Sequence, residues 1–70
     1  MQRMPVQSSN IASVGYDPET NILEIEFTTG AVYDYPGVPQ AKYDEMLMAP
    51  SVGRYFAAEI KKQYQGSRVS

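Results

Sequence analysis

Alternation between apolar and polar residues is clearest in segment 22–27. Every second residue from Leu23 to Phe27 is apolar, and the two residues between them are glutamates. A period of two predicts a β-strand with one buried face and one solvated face. The β-branched and aromatic segment 11–16 precedes it, and turn-forming residues 17–21 separate the two segments. The pattern therefore predicts a β-hairpin, and the register of its first strand stays open.

The next turn, Thr28-Thr29-Gly30, predicts the register of a third strand. A three-residue hairpin loop needs a left-handed residue at its last position, and glycine adopts that conformation without steric cost. With Gly30 there, Ile25 pairs with Tyr33 and Leu23 with Tyr35, so both tyrosines lie on the apolar face. The opposite face then collects the acidic side chains around Val32, namely Glu24, Glu26 and Asp34.

The second half of the chain has the spacing of two helices. Pro39 suits the first position of a helix over 39–48, and Pro50 ends it. Ser51 is a favourable N-cap for a second helix, which Gly66 would end. One stripe of this second helix repeats every fourth residue, at Val52, Phe56, Ile60 and Tyr64.

These elements predict the α+β class, with a three-stranded antiparallel meander followed by two helices packed on one face. A chain of 70 residues has room for one domain, which we place at residues 9–68. Residues 1–8 show no periodic pattern, and we expect them to form a flexible lead-in. We expect the last four residues, 67–70, to fray.

The composition disfavours most enzyme classes. The sequence holds no cysteine and no histidine, which excludes disulfides, thiol nucleophiles, zinc sites of the usual kind and imidazole acid–base catalysis. We therefore expect no catalytic activity, no metal and no cofactor. No apolar run approaches the roughly 20 residues of a membrane helix, and no apolar signal-peptide core follows Met1–Pro5, so we expect a cytoplasmic protein.

Charge is unevenly distributed along the chain. The net charge is −2, but residues 1–45 carry seven acidic and two basic residues, whereas residues 46–70 carry one acidic and four basic residues. Affinity for a nucleic-acid backbone comes largely from clustered lysine and arginine. The overall acidity thus argues against general polyanion binding, and any anion site is expected in the second half.

Four segments together resemble the KTSC domain, a family named for its occurrence at the C-terminus of some lysyl-tRNA synthetases. They are Ser9-Asn10-Ile11, Tyr33-Asp34-Tyr35, Val38-Pro39 and the segment from Ala49 to Phe56. The resemblance extends from about Ser9 to Arg68. It implies a stand-alone bacterial or phage form, and a link to RNA that has been suggested from the setting of the family.

The family pattern commonly has an asparagine after its Tyr-Phe pair, where this chain has Ala57. Because of this departure, a role that needs a side-chain amide at that position is not carried over from the family to this chain.

The start of the second helix is the main candidate site. The first N–H groups of a helix lack intrahelical partners, and the helix dipole favours an anion there. Gly53 would let a phosphate approach the backbone, and Arg54 would chelate that phosphate. Ser51 would either cap the helix or donate a hydrogen bond to the phosphate. The alternative is a capped helix in which Gly53 makes room for a neighbouring segment.

Aromatic and basic residues extend the candidate ligand-binding set. Tyr33 and Tyr35 either pack in the core or stack a base at the rim of the sheet. Lys61, Lys62 and Arg68 either form a solvated face or join Arg54 and Tyr55 in a small basic patch next to the start of the second helix.

Two functional hypotheses follow. The first is a non-catalytic module that binds phosphate-bearing ligands, either RNA such as tRNA or a small signalling nucleotide sequestered by an oligomer. The second is a protein–protein interaction or self-assembly module with no nucleotide ligand, which the small size and the unpaired sheet edges favour.

Overall fold

Five antiparallel strands form a single sheet in the computed structural model, which describes residues 1–70. The strands lie side by side in chain order. Helix α1 and the short helix α2 follow β4, and α2 continues directly into a π-helical segment. None of these helices has the length and apolar character needed to cross a membrane. The bounds are β1 Arg3–Pro5, β2 Ile11–Asp17, β3 Ile22–Phe27, β4 Val32–Pro36, α1 Gln40–Met48, α2 Val52–Tyr55, the π-helix Phe56–Ile60 and β5 Ser67–Arg68.

The predicted register of the central hairpin is confirmed. Ile25 pairs with Tyr33 and Leu23 with Tyr35. Gly30 has a φ of 96°, the left-handed value that the three-residue loop requires. The open register of β2 is set by a bulge after Ile11, because the register shifts before residue 13.

The prediction of only three strands was wrong, since a short strand is added at each edge of the meander. Strand β1 pairs with β2, although residues 1–8 were expected to form a lead-in, and β5 pairs with β4 where the chain was expected to fray. Strand β1 has three exposed residues and includes Pro5, while β5 has two residues. Segments this short show no alternation, and their strand conformation depends on hydrogen bonds to their neighbours.

The two helices cover one face of the sheet, as predicted. Pro39 is extended and precedes α1, instead of occupying its first turn, but its carbonyl accepts the N–H groups of Lys42 and Tyr43. Met46 is the fully buried residue of α1. The core cluster joins the sheet to the helices and consists of Ile11, Val14, Leu23, Ile25, Tyr35, Val38, Met46, Phe56 and Ile60.

The second helix is shorter than the sequence pattern predicts and ends differently. The π-helix ends at Ile60, where the N–H of Lys61 bonds the carbonyl of Phe56 at 2.9 Å, five residues earlier. One further turn follows, in which the N–H of Tyr64 bonds the carbonyl of Ile60 at 2.8 Å. Gly66 does not end this helix. It lies against the ring of Tyr35, where an added Cβ would be only 2.4 Å from a ring carbon.

The sheet face away from the helices is polar, as predicted. Asp34 lies opposite Glu24 in the register. Arg3 reaches over this face from β1, donating to Glu24 at 2.5 Å and to the hydroxyl of Ser13 at 3.1 Å. Ser13 in turn donates to Glu26 at 2.7 Å. This hydrogen-bonded chain attaches the edge strand β1 to the central strands.

Candidate functional site

A polar cavity of about 370 Å³ lies between the loop that joins β1 to β2 and the start of α2. We call it the Arg54 pocket. The start of α2 and the following π-helix contribute Ser51, Gly53, Arg54 and Ala57. The loop contributes the remaining lining residues, Ser8, Ser9 and Asn10.

Local hydrogen bonds give both walls of the Arg54 pocket their shape. The hydroxyl of Ser51 accepts the N–H of Arg54 at 3.2 Å and so caps α2. Across the pocket, the hydroxyl of Ser8 donates to Oδ1 of Asn10 at 3.0 Å and accepts the N–H of Ile11 at 3.3 Å. These hydrogen bonds provide acceptors for backbone N–H groups at the end of the loop and in the first turn of α2.

Gly53 allows the two walls to approach each other. A Cβ at this position would lie 2.9 Å from Oδ1 of Asn10 and 3.0 Å from the hydroxyl of Ser8. The structural role considered for Gly53, making room for a neighbouring segment, is therefore present. The neighbouring segment is the loop with Ser8 and Asn10, which forms the second wall of the pocket. The cap made by Ser51 and the space left by Gly53 therefore both shape the candidate site.

Arg54 is the only ionisable residue that lines this pocket. Its side chain is exposed and takes part in neither of the two salt bridges of the structure, which join Arg3 to Glu24 and Lys42 to Glu59. The N–H of Gly53, which also lines the pocket, lies in the first turn of α2 and has no partner within the helix. The pocket therefore offers hydrogen-bond donors and one positive charge, with no carboxylate among its lining residues.

A second cavity, of about 420 Å³, adjoins the first. We call it the Tyr55 pocket. Ser51 and Arg54 line both cavities and form their common wall. Ala49, Pro50, Ala58 and the Tyr55 side chain supply apolar surface, and Glu59 supplies a carboxylate.

Tyr55 is held in place by a carboxylate outside this cavity. Its hydroxyl donates to Oε1 of Glu45 at 2.6 Å, a bond that links α2 to α1. This hydrogen bond, together with burial and the nearby negative charge, raises the pKa of Tyr55 to about 12. The phenol is thus neutral at physiological pH, and its ring is fixed beside the pocket.

The two strand tyrosines lie away from both pockets. Tyr35 is 5% exposed and packs edge to face against Phe56, with ring centroids 5.3 Å apart. Tyr33 is half-buried and stacks against Tyr35 at 6.4 Å. Tyr35 therefore has the core position considered for it, and neither ring borders the Arg54 or the Tyr55 pocket.

Of the residues predicted from sequence, the structure brings Ser51, Gly53, Arg54 and Tyr55 together and leaves Lys61 and Lys62 outside. Both lysines are exposed in the turn after the π-helix. Sequence reasoning missed the wall formed by Ser8, Ser9 and Asn10 and the contribution of Ala57. The only signal for that wall was the Ser9-Asn10 pair within the family resemblance, because nothing in the loop pattern predicts its contact with α2.

Comparisons with known proteins agree on one family. The KTSC domain model matches residues 7–64. A crystal structure of a KTSC domain protein from Yersinia pestis superimposes with a TM-score of 0.94 at 40% identity, covering 99% of this chain and 97% of the other.

Two sequence relatives show the settings in which similar chains occur. An uncharacterized protein of Stutzerimonas stutzeri is 47% identical over 64 residues, covering 91% of this chain and 90% of that protein. A lysine–tRNA ligase of a Nostoc species is 38% identical over 64 residues, which is 91% of this chain but 11% of the ligase.

Proposed function

This chain belongs to the KTSC domain family, and on that premise we propose that it is a non-catalytic module that binds a phosphate group of a nucleotide in the Arg54 pocket. The observation that carries the proposal is the unpaired guanidinium of Arg54, the only charge among the residues that line a polar cavity. Arginine is a recurrent phosphate ligand, because its planar guanidinium can donate to two phosphate oxygens at once.

The nucleotide has two possible sources, RNA and the free metabolite pool. Similarity to a segment of a lysine–tRNA ligase favours RNA, because that ligase, by its name, acts on tRNA. The acidity of the isolated chain, with a net charge of −2, favours a compact ligand that needs one local pocket. Both sources present the same chemistry to Arg54, and the experiment below separates them.

Amide-resolved NMR titration of the full chain with the four nucleoside 5′-monophosphates, a short single-stranded RNA and a tRNA tests this function. We expect saturable shifts at Val52, Gly53 and Arg54, and we expect Arg54→Ala to weaken binding at least about tenfold, as loss of a charge-assisted phosphate contact does. Shifts with RNA but not with monophosphates would identify RNA as the source, and the reverse result would identify free nucleotides.

Lys61→Ala is the matched control for Arg54→Ala. It removes one exposed positive charge outside both pockets, so it changes net charge by the same amount and should leave affinity within about twofold. Equal losses in the two variants would mean that binding follows net charge and not the pocket. The absence of shifts with every ligand would reject nucleotide binding.

Self-assembly is a second candidate, supported by apolar side chains at the two sheet edges. Met4 on β1 is 48% exposed and Val69 beside β5 is 52% exposed. Burial of these side chains against another chain would remove apolar surface from water. Sedimentation velocity across micromolar concentrations tests this function: a concentration-dependent dimer supports it, and a monomer throughout argues against it.

A further inference from the structure

The Tyr55 pocket adjoins the Arg54 pocket through a wall made of the same two residues, Ser51 and Arg54. A nucleotide whose phosphate contacts Arg54 on one side of this wall has its sugar and base within reach of the other side. The second cavity is therefore placed where the rest of the same ligand extends. Its volume, about 420 Å³, is comparable to that of the first.

The lining of the Tyr55 pocket suits a nucleobase better than a second phosphate. Ala49, Pro50 and Ala58 give it apolar surface, and the Tyr55 ring lies beside them. Flat bases bind to proteins mainly by packing against aromatic and apolar side chains. The Tyr55 ring is held by its hydrogen bond to Glu45 at 2.6 Å, so little side-chain entropy remains to be lost on binding.

Glu59 gives this cavity a preference among the bases. Its Oε1 contacts Nζ of Lys42 at 3.3 Å, its side chain is 45% exposed, and its second carboxylate oxygen has no partner in the structure. A carboxylate accepts N–H donors and repels lone pairs. Guanine presents two adjacent donors, N1–H and the N2 amino group, on its pairing edge. Adenine, cytosine and uracil each present an acceptor beside their single donor group.

We propose that the Tyr55 pocket holds the guanine base of the nucleotide whose phosphate is bound in the Arg54 pocket, with Glu59 accepting from the guanine edge. The inference rests on the proposed function, and it adds the base that the site selects. The chain then binds one guanine nucleotide, either within single-stranded RNA or as the free nucleotide.

Isothermal titration of the full chain with GMP, AMP, CMP, UMP and ribose 5-phosphate tests the assignment. We expect GMP to bind at least about fivefold more tightly than AMP, since a bidentate contact to a base discriminates by about that factor or more. Ribose 5-phosphate, which lacks a base, should bind more weakly than any of the four nucleotides.

Two variants address the two parts of the pocket, each checked for folding by its amide spectrum. Glu59→Gln should bring GMP and AMP to within about twofold of each other. Tyr55→Ala should reduce GMP affinity to that of ribose 5-phosphate while leaving ribose 5-phosphate affinity unchanged. Glu19→Gln is the control, because it neutralises an exposed carboxylate in the β2–β3 turn, outside both pockets, and should preserve the GMP preference.

The outcomes separate this inference from the proposed function. Equal, Arg54-dependent binding of all four nucleotides and ribose 5-phosphate would overturn the base assignment and leave phosphate binding intact. A GMP preference that survives Glu59→Gln would overturn the role of the carboxylate. No binding by any of the five compounds would overturn the inference and the proposed function together.

Discussion

Gly66 shows how one residue without a side chain determines the packing of the core. It lies against Tyr35, and an added Cβ would lie 2.4 Å from Cε2 and 2.5 Å from Cζ of that ring. Because the ring is buried among Tyr33 and Phe56, it has little room to move away. The segment before β5 therefore passes the Tyr35 ring too closely for a side chain at position 66 to fit without movement of its neighbours.

We predict that Gly66→Ala lowers the free energy of unfolding by about 1–3 kcal/mol, the usual cost of overpacking a core. Urea denaturation followed by circular dichroism measures this change. Gln65→Ala is the neighbouring control and should change stability by less than about 0.5 kcal/mol, because its side chain is exposed. In a Tyr35→Leu background the alanine should cost less, and an unchanged cost would show that the ring is not the obstacle.

Asp34 and Glu24 face each other on the polar side of the sheet, and their pKa values are shifted in opposite directions. Burial, a hydrogen bond with Glu24 and the charge of Glu24 raise the pKa of Asp34. Burial alone would also raise the pKa of Glu24, but its hydrogen bonds with Asp34 and Arg3 lower it. One oxygen of Asp34, Oδ1, is buried and has no hydrogen-bond partner. Ionised Asp34 therefore destabilises the native state more than ionised Glu24 does.

Asp34→Asn should stabilise the protein at neutral pH by about 1 kcal/mol, since it removes a half-buried carboxylate whose Oδ1 has no hydrogen-bond partner, and its amide can donate to Glu24. The raised pKa means that the native state of the wild type holds this proton to higher pH than the unfolded chain. Asp34 therefore lowers the free energy of unfolding in full at pH values above its pKa in the folded state. The cost disappears at pH values below its pKa in the unfolded chain, near 3.8.

Urea denaturation of both proteins from pH 3.5 to 8 checks this sign. The advantage of the asparagine variant should be full at pH 8 and should shrink as pH falls through the raised pKa of Asp34. An advantage that is constant with pH would mean that the proton of Asp34 does not contribute. A variant less stable than the wild type at pH 8 would mean that the carboxylate is well satisfied in the fold.

At the scale of elements, the short helix α2 depends on its cap. It has four residues before the π-helix begins, so it has too few internal hydrogen bonds to be stable by itself. The Ser51 hydroxyl, 3.2 Å from the N–H of Arg54, satisfies one of its first donors. The same cap places Arg54 and Gly53 at the wall of the pocket, so helix stability and site geometry depend on one side chain.

We predict that Ser51→Ala lowers the free energy of unfolding by about 1 kcal/mol and that Ser51→Asn restores most of it, because asparagine caps as well as serine. Urea denaturation of the three proteins measures the effect. Ser9→Ala is the control, since Ser9 lines the same pocket but makes no hydrogen bond through its side chain. Equal losses at positions 9 and 51 would argue that the pocket lining, and not the cap, stabilises this region.

The elements that sequence predicts here are those with a repeating pattern or a stereochemical requirement. The turn at Gly30 defined the pairing of β3 with β4, because only one loop length places Tyr33 and Tyr35 on the apolar face. Strands β1 and β5 carry no such pattern. The wall of the Arg54 pocket formed by Ser8 and Asn10 depends on that pairing of β1, so it too was beyond prediction.

The π-helix is a further difference with a physical reason. A strict four-residue repeat drifts about 40° per step around a helix with 3.6 residues per turn. A π turn holds more than four residues, so the step from Phe56 to Ile60 offsets the drift from the α-helical turn before it, and both residues, 2% and 0% exposed, stay on the same buried side. The repeat of four thus predicted the buried stripe correctly, whereas the type of helix and its early end depend on packing against the sheet.

Across the whole molecule, the two faces of the sheet differ in charge. The uncovered face carries Glu24, Glu26 and Asp34, while the helical layer on the other face carries Arg54 and is followed by Lys61 and Lys62. An RNA strand that approaches the helical side avoids the acidic face. Only Arg54 among these cations lines a pocket, so the proposed function implies contact with few phosphates.

The salt dependence of RNA binding distinguishes a one-phosphate site from a basic patch. For single strands the slope of log affinity against log salt is about −0.7 per phosphate neutralised, so contact through Arg54 alone predicts a slope near −0.7. Fluorescence anisotropy with a labelled single-stranded hexanucleotide, from low to physiological salt, measures it. Replacing Lys61 and Lys62 by alanine should leave that slope unchanged. A slope near −2 that becomes shallower in the double variant would show that these lysines bind phosphates too, and that the ligand extends beyond the Arg54 pocket along the helical side of the molecule.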